Sequence, residues 1–293
     1  MRSISDFIQE QETGITVASN CDNLEKAYAE CAAALSLATC YSEQAMIMEF
    51  AEENGIDSLN IIQEDGNEEK KENIFKRAGA GLKNAWGKVV EFFKAIYRKI
   101  SGFVADQRMA KLKELIDELP NEGTIPSFDH QAFALSSFIK IFDEKVNSIA
   151  ESLADGIDNV ANASVIKSAT DAMQKKLDEW NKNESTSGEV TCAKVKEKFA
   201  DSFEKGKIQS AIKSIDKGIS ALEKAAKKND KDENGDKTAA TAQKATAEQL
   251  TGLINVTTQC YDVALKKFNK AYDTLKGGIK KFNKATKESF YYV

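Results

Sequence analysis

The hexapeptide Lys-Lys-Phe-Asn-Lys-Ala occurs twice near the end of the chain, at 266–271 and again at 280–285. The offset of 14 residues equals two heptads, so equivalent positions return to the same side of an α-helix. Phe268 and Phe282 therefore share one apolar seam with Leu265 and Ile279. Because a seam of this period packs helix against helix, we predict an all-α protein of long antiparallel helices, packed as a bundle with coiled-coil character.

Apolar residues at intervals of three and four predict further helices in the second half of the chain. Only two prolines occur, Pro120 and Pro126, so little interrupts helices elsewhere. Ser127 is a predicted N-cap, and Gly156 with the polar residues after it predicts a bend or a split. The glycine pair at 277–278 predicts a kink. We predict a bundle over 127–293 with three long helices, 127–182, 191–228 and 238–290.

The first part of the chain is predicted to be an acidic helical region, residues 1–62, followed by an acidic linker, 63–73. A helix from about Asp22 should end at Asn54-Gly55, since asparagine and glycine are common at helix C-termini. The linker QEDGNEEKKEN has no apolar residue. The predicted apolar face of the helix consists of Leu24, Tyr28, Cys31, Leu35, Ala38, Met46 and Phe50.

A basic, aromatic, amphipathic helix is predicted over 74–119. Residues 1–73 hold 16 acids and 4 bases, whereas residues 74–113 hold 2 acids and 10 bases, so the two segments either neutralise each other or face different partners. The apolar face of the basic helix either lies in a membrane interface or against a partner, or it packs in the core. The candidate binding residues are Trp86, Val89, Phe92, Phe93, Ile96 and Tyr97, with Lys88, Lys94, Arg98 and Lys99 on the basic side.

One loop matches the first half of an EF-hand. Oxygen ligands stand at its first, third and fifth positions and glycine at its sixth. Its twelfth position is Thr241 where a bidentate glutamate should close the site, so we predict at most weak Ca²⁺ binding and no other cofactor. The alternative is a polar turn between helices. The candidate ligands are Asp230, Asp232, Asn234 and Asp236.

Residues for catalysis are scarce, and we predict no enzyme activity. The single histidine, His130, lies in SFDHQ at a predicted helix start with no orienting partner. No phosphate-binding glycine loop, HExxH or GxSxG motif occurs. The cysteines have no metal-type spacing, and we predict that they are small buried hydrophobic residues in a reducing compartment. They are Cys21, Cys31, Cys40, Cys192 and Cys260.

Lysines crowd the last helix and raise the possibility of nucleic acid binding. Phosphate contacts need only positioned cations. The pI of about 5.3 and the lack of an accompanying motif favour the alternative, a solvated helix face. The lysines are Lys266, Lys267, Lys270, Lys276, Lys280, Lys281, Lys284 and Lys287, against Asp273 and Glu288.

The chain shows no predicted membrane span or secretory signal. The longest uncharged run, Gln249 to Tyr261, has 13 residues, whereas a spanning helix needs roughly 18 or more. The N-terminus MRSISDFIQEQ has early acids and no apolar core region. We therefore expect synthesis for the cytoplasm.

Two segments, YSEQAMIMEFAEENGI (Tyr41–Ile56) and IFKRAGAGLKNAWGKVVEFFKAIYRKI (Ile74–Ile100), are joined by the acidic linker. Together they resemble the N-terminal part of uncharacterised virion proteins of tailed bacteriophages, over about 80 of the 293 residues. The resemblance implies a non-enzymatic structural component inside the particle, at the head or portal and delivered with the genome. On this basis we predict a virion protein in multiple copies, in contact with other virion proteins or with itself as a homo-oligomer, and the C-terminal SFYYV as a docking peptide. The competing interpretation is a helical protein that inserts into membranes, as α-helical pore-forming toxins do.

Overall fold

The computed structural model describes residues 15–55, 68–105, 107–127, 134–154, 156, 161–182, 188–203, 205–228 and 237–290. Within these residues it contains eight α-helices and one two-stranded sheet, so the all-α prediction is confirmed. The helices are α1 Ile15–Glu53, α2 Glu68–Ala105, α3 Gln107–Asp117, α4 Ala134–Leu153, α5 Ala161–Asn181, α6 Cys192–Phe203, α7 Lys205–Lys228 and α8 Lys237–Phe290.

The first helix ends where the sequence predicts. Gly55 has a φ of 62°, the left-handed conformation that glycine adopts without strain. Both the backbone and the side-chain nitrogen of Asn54 donate hydrogen bonds to the carbonyl oxygen of Phe50, at 3.2 and 2.8 Å. The last turn of α1 is thereby capped.

The predicted linker is partly wrong, because α2 already begins at Glu68. Residues 68–73 are glutamates, lysines and an asparagine, and glutamate and lysine are good helix formers. Acidic residues at the start of a helix also interact favourably with its dipole. The rest of the linker lies outside the described residues.

The predicted helix over 127–182 is two helices, as the glycine at 156 indicated. Gly156 has a φ of 127° and separates α4 from α5. The buried Asn162 donates from Nδ2 to the Gly156 carbonyl (2.7 Å) and accepts a bond from the Ser152 hydroxyl (2.6 Å), which fixes the corner. The predicted helix over 74–119 is described as α2 and α3, and the predicted helix over 191–228 as α6 and α7; residues 106 and 204 lie outside the described residues.

A small sheet, which the sequence did not predict, joins two of the loops. β1 (Thr124–Pro126) pairs antiparallel with β2 (Glu189–Thr191), placing Ile125 opposite Val190. Both side chains are buried, while their neighbours along each strand are exposed. Ser127, the predicted cap, instead donates its backbone N–H to the Gly188 carbonyl at 2.9 Å and so extends this ladder.

The chain forms two compact units, each with its own core. Unit 1 comprises Met1–Lys99, Ile149–Lys167 and Ile219–Ile254, and unit 2 comprises Ile100–Ser148, Ser168–Gly218 and Asn255–Val293. In unit 1 the helices α1, α2 and α8 meet through the alanines Ala45, Ala78 and Ala240, all fully buried. Small side chains let helix backbones approach closely.

The core of unit 2 is aromatic and confirms the predicted seam of α8. Phe268 is buried and meets Phe103 edge to face, with ring centroids 4.6 Å apart. Phe138 stacks on Phe142 at 5.7 Å and lies 5.8 Å from Tyr261 of α8. Aromatic pairs of this kind add to the stabilisation that burial alone gives.

β1 lies directly on α8 because a glycine stands there. A Cβ atom at Gly278 would be 3.2 Å from the Cδ of Pro126, which is tighter than ordinary contact, whereas a Cβ at Gly277 would meet nothing within 4 Å. Gly123, with a φ of 102°, lies similarly against the ring of Phe282. α8 remains helical through both glycines.

Candidate interaction surfaces

The aromatic face of α2 is in the core of unit 1. Of the candidate binding residues, five are at most 1% exposed and only Tyr97 is half-buried. The ring of Phe92 meets that of Tyr28 on α1, with centroids 6.4 Å apart. The sequence left open whether this face lies against a membrane or partner or packs in the core; the burial of these five residues is that of core residues. The five buried residues are Trp86, Val89, Phe92, Phe93 and Ile96.

Two lysines of α2 are paired with acids inside unit 1. Lys88 Nζ lies 2.6 Å from Glu30 Oε2 on α1. Hydrogen bonding and the charge of Glu30 raise the pKa of Lys88, and the same contact lowers the pKa of Glu30. Basic α2 and acidic α1 thus neutralise each other at this point, in agreement with the first of the two predicted alternatives.

Lys94 bridges α2 to the end of α7. Its Nζ lies 3.0 Å from Glu91 and 3.1 Å from Glu223. Burial opposes its charge, but the hydrogen bonds to the two carboxylates outweigh that effect and raise the pKa of Lys94. Of the remaining two candidate cations, Arg98 is exposed and Lys99 is half-buried.

Three of the four cysteines whose side chains are described are buried, as predicted, and one is not. Burial raises the pKa of Cys31 and of Cys260 to about 12, and it raises the pKa of Cys192 as well. These thiols are protonated and unreactive at neutral pH. Cys40 is exposed, which contradicts the prediction of uniform burial.

The predicted calcium ligands and His130 lie outside the described residues. Asp230, Asp232, Asn234 and Asp236 therefore keep the status of a prediction, as does weak Ca²⁺ binding. In the part of the chain that the structure does describe, no group of three or more His, Cys, Asp or Glu side chains could hold a metal ion.

An exposed apolar surface runs along α1, and the sequence interpretation missed it. Leu37, Ile47 and Phe50 are 51%, 49% and 61% exposed, and Cys40 lies on the same side. We call these four residues the α1 stripe. Their spacing of three, seven and three residues keeps them along one side of the helix over about 20 Å.

The opposite side of α1 is the one that packs in unit 1. Leu24, Cys31, Leu35 and Ala38 are buried, as predicted, whereas Phe50 was wrongly placed on the buried face. The sequence held a signal for two faces, because α1 carries apolar residues all round its circumference. A helix of that kind is covered on more than one side.

The lysines of α8 form one exposed face. Five of them lie within an arc about 100° wide, given 3.6 residues per turn, and all five are exposed. The opposite side of the same segment carries Phe268, Leu275 and Ile279, each about 1% exposed. The repeated hexapeptide thus sends phenylalanine inward and lysine outward in both copies. We call the set the α8 lysine face: Lys266, Lys270, Lys280, Lys281 and Lys284.

No family model, no curated protein and no solved structure matches this chain. Among the described helices, none combines the length and the apolar character needed to cross a membrane.

Proposed function

We propose that this chain is a non-enzymatic structural protein of a bacteriophage particle, internal and associated with the head or portal, held there by helix packing against a neighbouring chain. The observation that carries the proposal is the α1 stripe. Large apolar side chains that stay about half exposed on an otherwise well-packed helix are typical of surfaces that another protein covers. A partner helix could pack its apolar face along the three exposed side chains, which are Leu37, Ile47 and Phe50.

The charges of α1 favour a partner other than a second α1. Among its described side chains, five acids stand against the single cation Lys26. Two α1 helices brought together would place like charges side by side, which is unfavourable. We therefore expect an amphipathic helix with basic flanks, from another protein of the particle, to cover the stripe. Its acids are Glu25, Glu30, Glu43, Glu49 and Glu53.

The experiment places Leu37→Asp and Ile47→Asp together in the chain and measures its incorporation into purified particles by quantitative mass spectrometry. The double variant should fold, because both positions are exposed, yet it should be lost from the particles. The matched control adds the same charge at the exposed positions Ser220 and Gln259, again as aspartate, and should be incorporated like the wild type.

Three outcomes would count against the proposal. Absence of the wild-type chain from purified particles removes the assignment to a virion. Equal incorporation of the stripe variant and the control removes the role of the stripe. A wild-type chain that dimerises in light scattering, with dimers lost in the stripe variant, would replace the basic partner by a second copy and support the predicted homo-oligomer.

Insertion into membranes, the competing sequence interpretation, would require the buried aromatic face of α2 to leave the core. Leakage of anionic vesicles caused by the wild-type chain, and abolished by Trp86→Asp or Phe93→Asp with the fold intact, would favour it. Because both residues are at most 1% exposed, we expect these changes to unfold unit 1.

A further inference from the structure

The α8 lysine face is a regular array of cations along one side of a helix. From Lys266 to Lys284 the helix rises about 27 Å at 1.5 Å per residue. Residues 265–284 hold seven lysines and one acid, Asp273, although the whole chain has a net charge of −5. The positive charge is therefore concentrated locally on a chain that is acidic overall, which is the electrostatic pattern of a polyanion site.

The two copies of the hexapeptide make the array repeat. Lys266 and Lys280 are equivalent positions, as are Lys270 and Lys284, and each pair is about 21 Å apart along the axis. The buried phenylalanine and isoleucine residues of the same turns hold the backbone rigid in unit 2. Cations on a rigid helix lose less conformational freedom on binding than cations on a mobile tail.

The face lacks the features that other polyanionic partners would use. Every large, clearly exposed hydrophobic side chain in the described residues belongs to α1, so this face offers no apolar anchor to a protein partner or to a lipid interface. Single-stranded nucleic acid is bound largely by stacking on aromatic rings, and Phe268 and Tyr272 are buried on the other side of α8. A protein distinguishes RNA from DNA through the 2′-hydroxyl, which both donates and accepts hydrogen bonds; lysines only donate, so these side chains provide no selection for RNA.

We propose that the α8 lysine face binds the phosphate backbone of duplex DNA, without sequence preference, through its five exposed lysines. Duplex DNA carries one charge per about 1.7 Å of axis, and lysine contacts to it release counterions. Lysines that point away from the core along one side of a helix can contact these phosphates without reaching the bases. We do not expect sequence preference, since all five residues are lysines, whose flexible ammonium groups contact phosphate as point charges.

Salt dependence makes the proposal quantitative. Five phosphate contacts predict a slope of about −4.5 in a plot of log K against log salt concentration. Affinity should therefore fall about 500-fold between about 50 and 200 mM NaCl. Fluorescence anisotropy of a labelled mixed-sequence duplex, titrated with the full-length chain, measures both quantities.

A matched pair of triple variants separates the face from the overall charge. Lys266→Gln, Lys270→Gln and Lys280→Gln together remove three cations of the face. The control removes three exposed cations elsewhere in unit 2, at Lys175, Lys213 and Lys217, also as glutamine. The two triple variants have the same net charge. All six positions are exposed, so circular dichroism should show both variants folded like the wild type.

The first triple variant should make the slope less steep by about 2.7 and weaken binding at about 100 mM NaCl by up to 500-fold, whereas the control should bind like the wild type. Equal losses in both variants, or no binding by the wild type at about 50 mM NaCl, would overturn the proposal. So would tight binding to phosphatidylserine vesicles that DNA does not compete away. Binding of DNA by this face does not require the chain to belong to a particle, so failure here leaves the virion assignment standing, and the reverse also holds.

Discussion

Replacing Phe93 by alanine should cost about 3–5 kcal/mol of unfolding free energy, whereas the same change at Phe50 should cost almost nothing. Phe93 is 1% exposed, and its ring lies 5.8 Å from that of Phe92, so its removal leaves a cavity in the core of unit 1. Phe50 is 61% exposed, and its loss opens no cavity. Alanine is also the better helix former, so Phe50→Ala should stay within about 0.5 kcal/mol of the wild type.

Urea unfolding of the full-length chain, followed by far-UV circular dichroism, measures the difference. With a denaturant slope of about 3 kcal/mol per molar urea, Phe93→Ala should lower the transition midpoint by about 1 M or more. Phe50→Ala should leave the midpoint unchanged within error. The pair is matched because the chemical change is the same and both residues lie on long helices.

Equal and small shifts for both variants would refute the burial of the α2 aromatic face and would restore that face as a surface for a membrane or a partner. A large loss for Phe50→Ala would mean instead that the α1 stripe is already covered within the isolated protein. The proposed docking role would then have no surface on which to act.

Three further outcomes are expected. Gly277→Ala should stabilise the protein by about 1 kcal/mol, because this position lies in a helix with open space around it. Gly278→Ala should stabilise it less or destabilise it, since the new Cβ would crowd the proline ring of β1. Thermal melts of the two variants show which of them is more stable. Burial raises the pKa of Cys31 and of Cys260 from 9.0 to about 12, so these thiols ionise in the unfolded chain at lower pH than in the folded one. The stability that each contributes is therefore complete below pH 9 and is lost as the pH rises towards 12. Cys31→Ala should reduce this alkaline loss, measured as the urea midpoint against pH. Iodoacetamide should alkylate Cys40 in the native protein but Cys260 only after denaturation, as peptide mapping by mass spectrometry would show.

Helix positions could be predicted from the sequence wherever a local rule applied. The repeated hexapeptide fixed the inward phenylalanine of α8, and Phe268 is buried as expected. The Asn54-Gly55 stop and the break at Gly156 rest on the ability of glycine to adopt positive φ, and both are confirmed. These features depend on residues within one or two turns, which a sequence shows directly.

The α1 stripe and the small sheet could not be predicted, for different reasons. On a helix that carries apolar residues on every side, periodicity does not say which side will be covered, so Phe50 was assigned to the wrong face. The strands have three residues each, and Ile125 pairs with Val190, 65 positions later in the chain. Runs this short carry no reliable period, and the pairing depends on packing between distant segments.

The missing side chain at Gly278 has a consequence for how this chain tolerates evolutionary change. A side chain at the neighbouring position 277 would meet nothing within 4 Å of its Cβ, so related chains should carry alanine, serine or a charged residue there. At position 278 a Cβ atom would crowd the proline ring of β1, so relatives that keep the small sheet should keep glycine there. Among related chains, a variable position directly beside an invariant glycine at this point of the helix would indicate that they also place a strand against it.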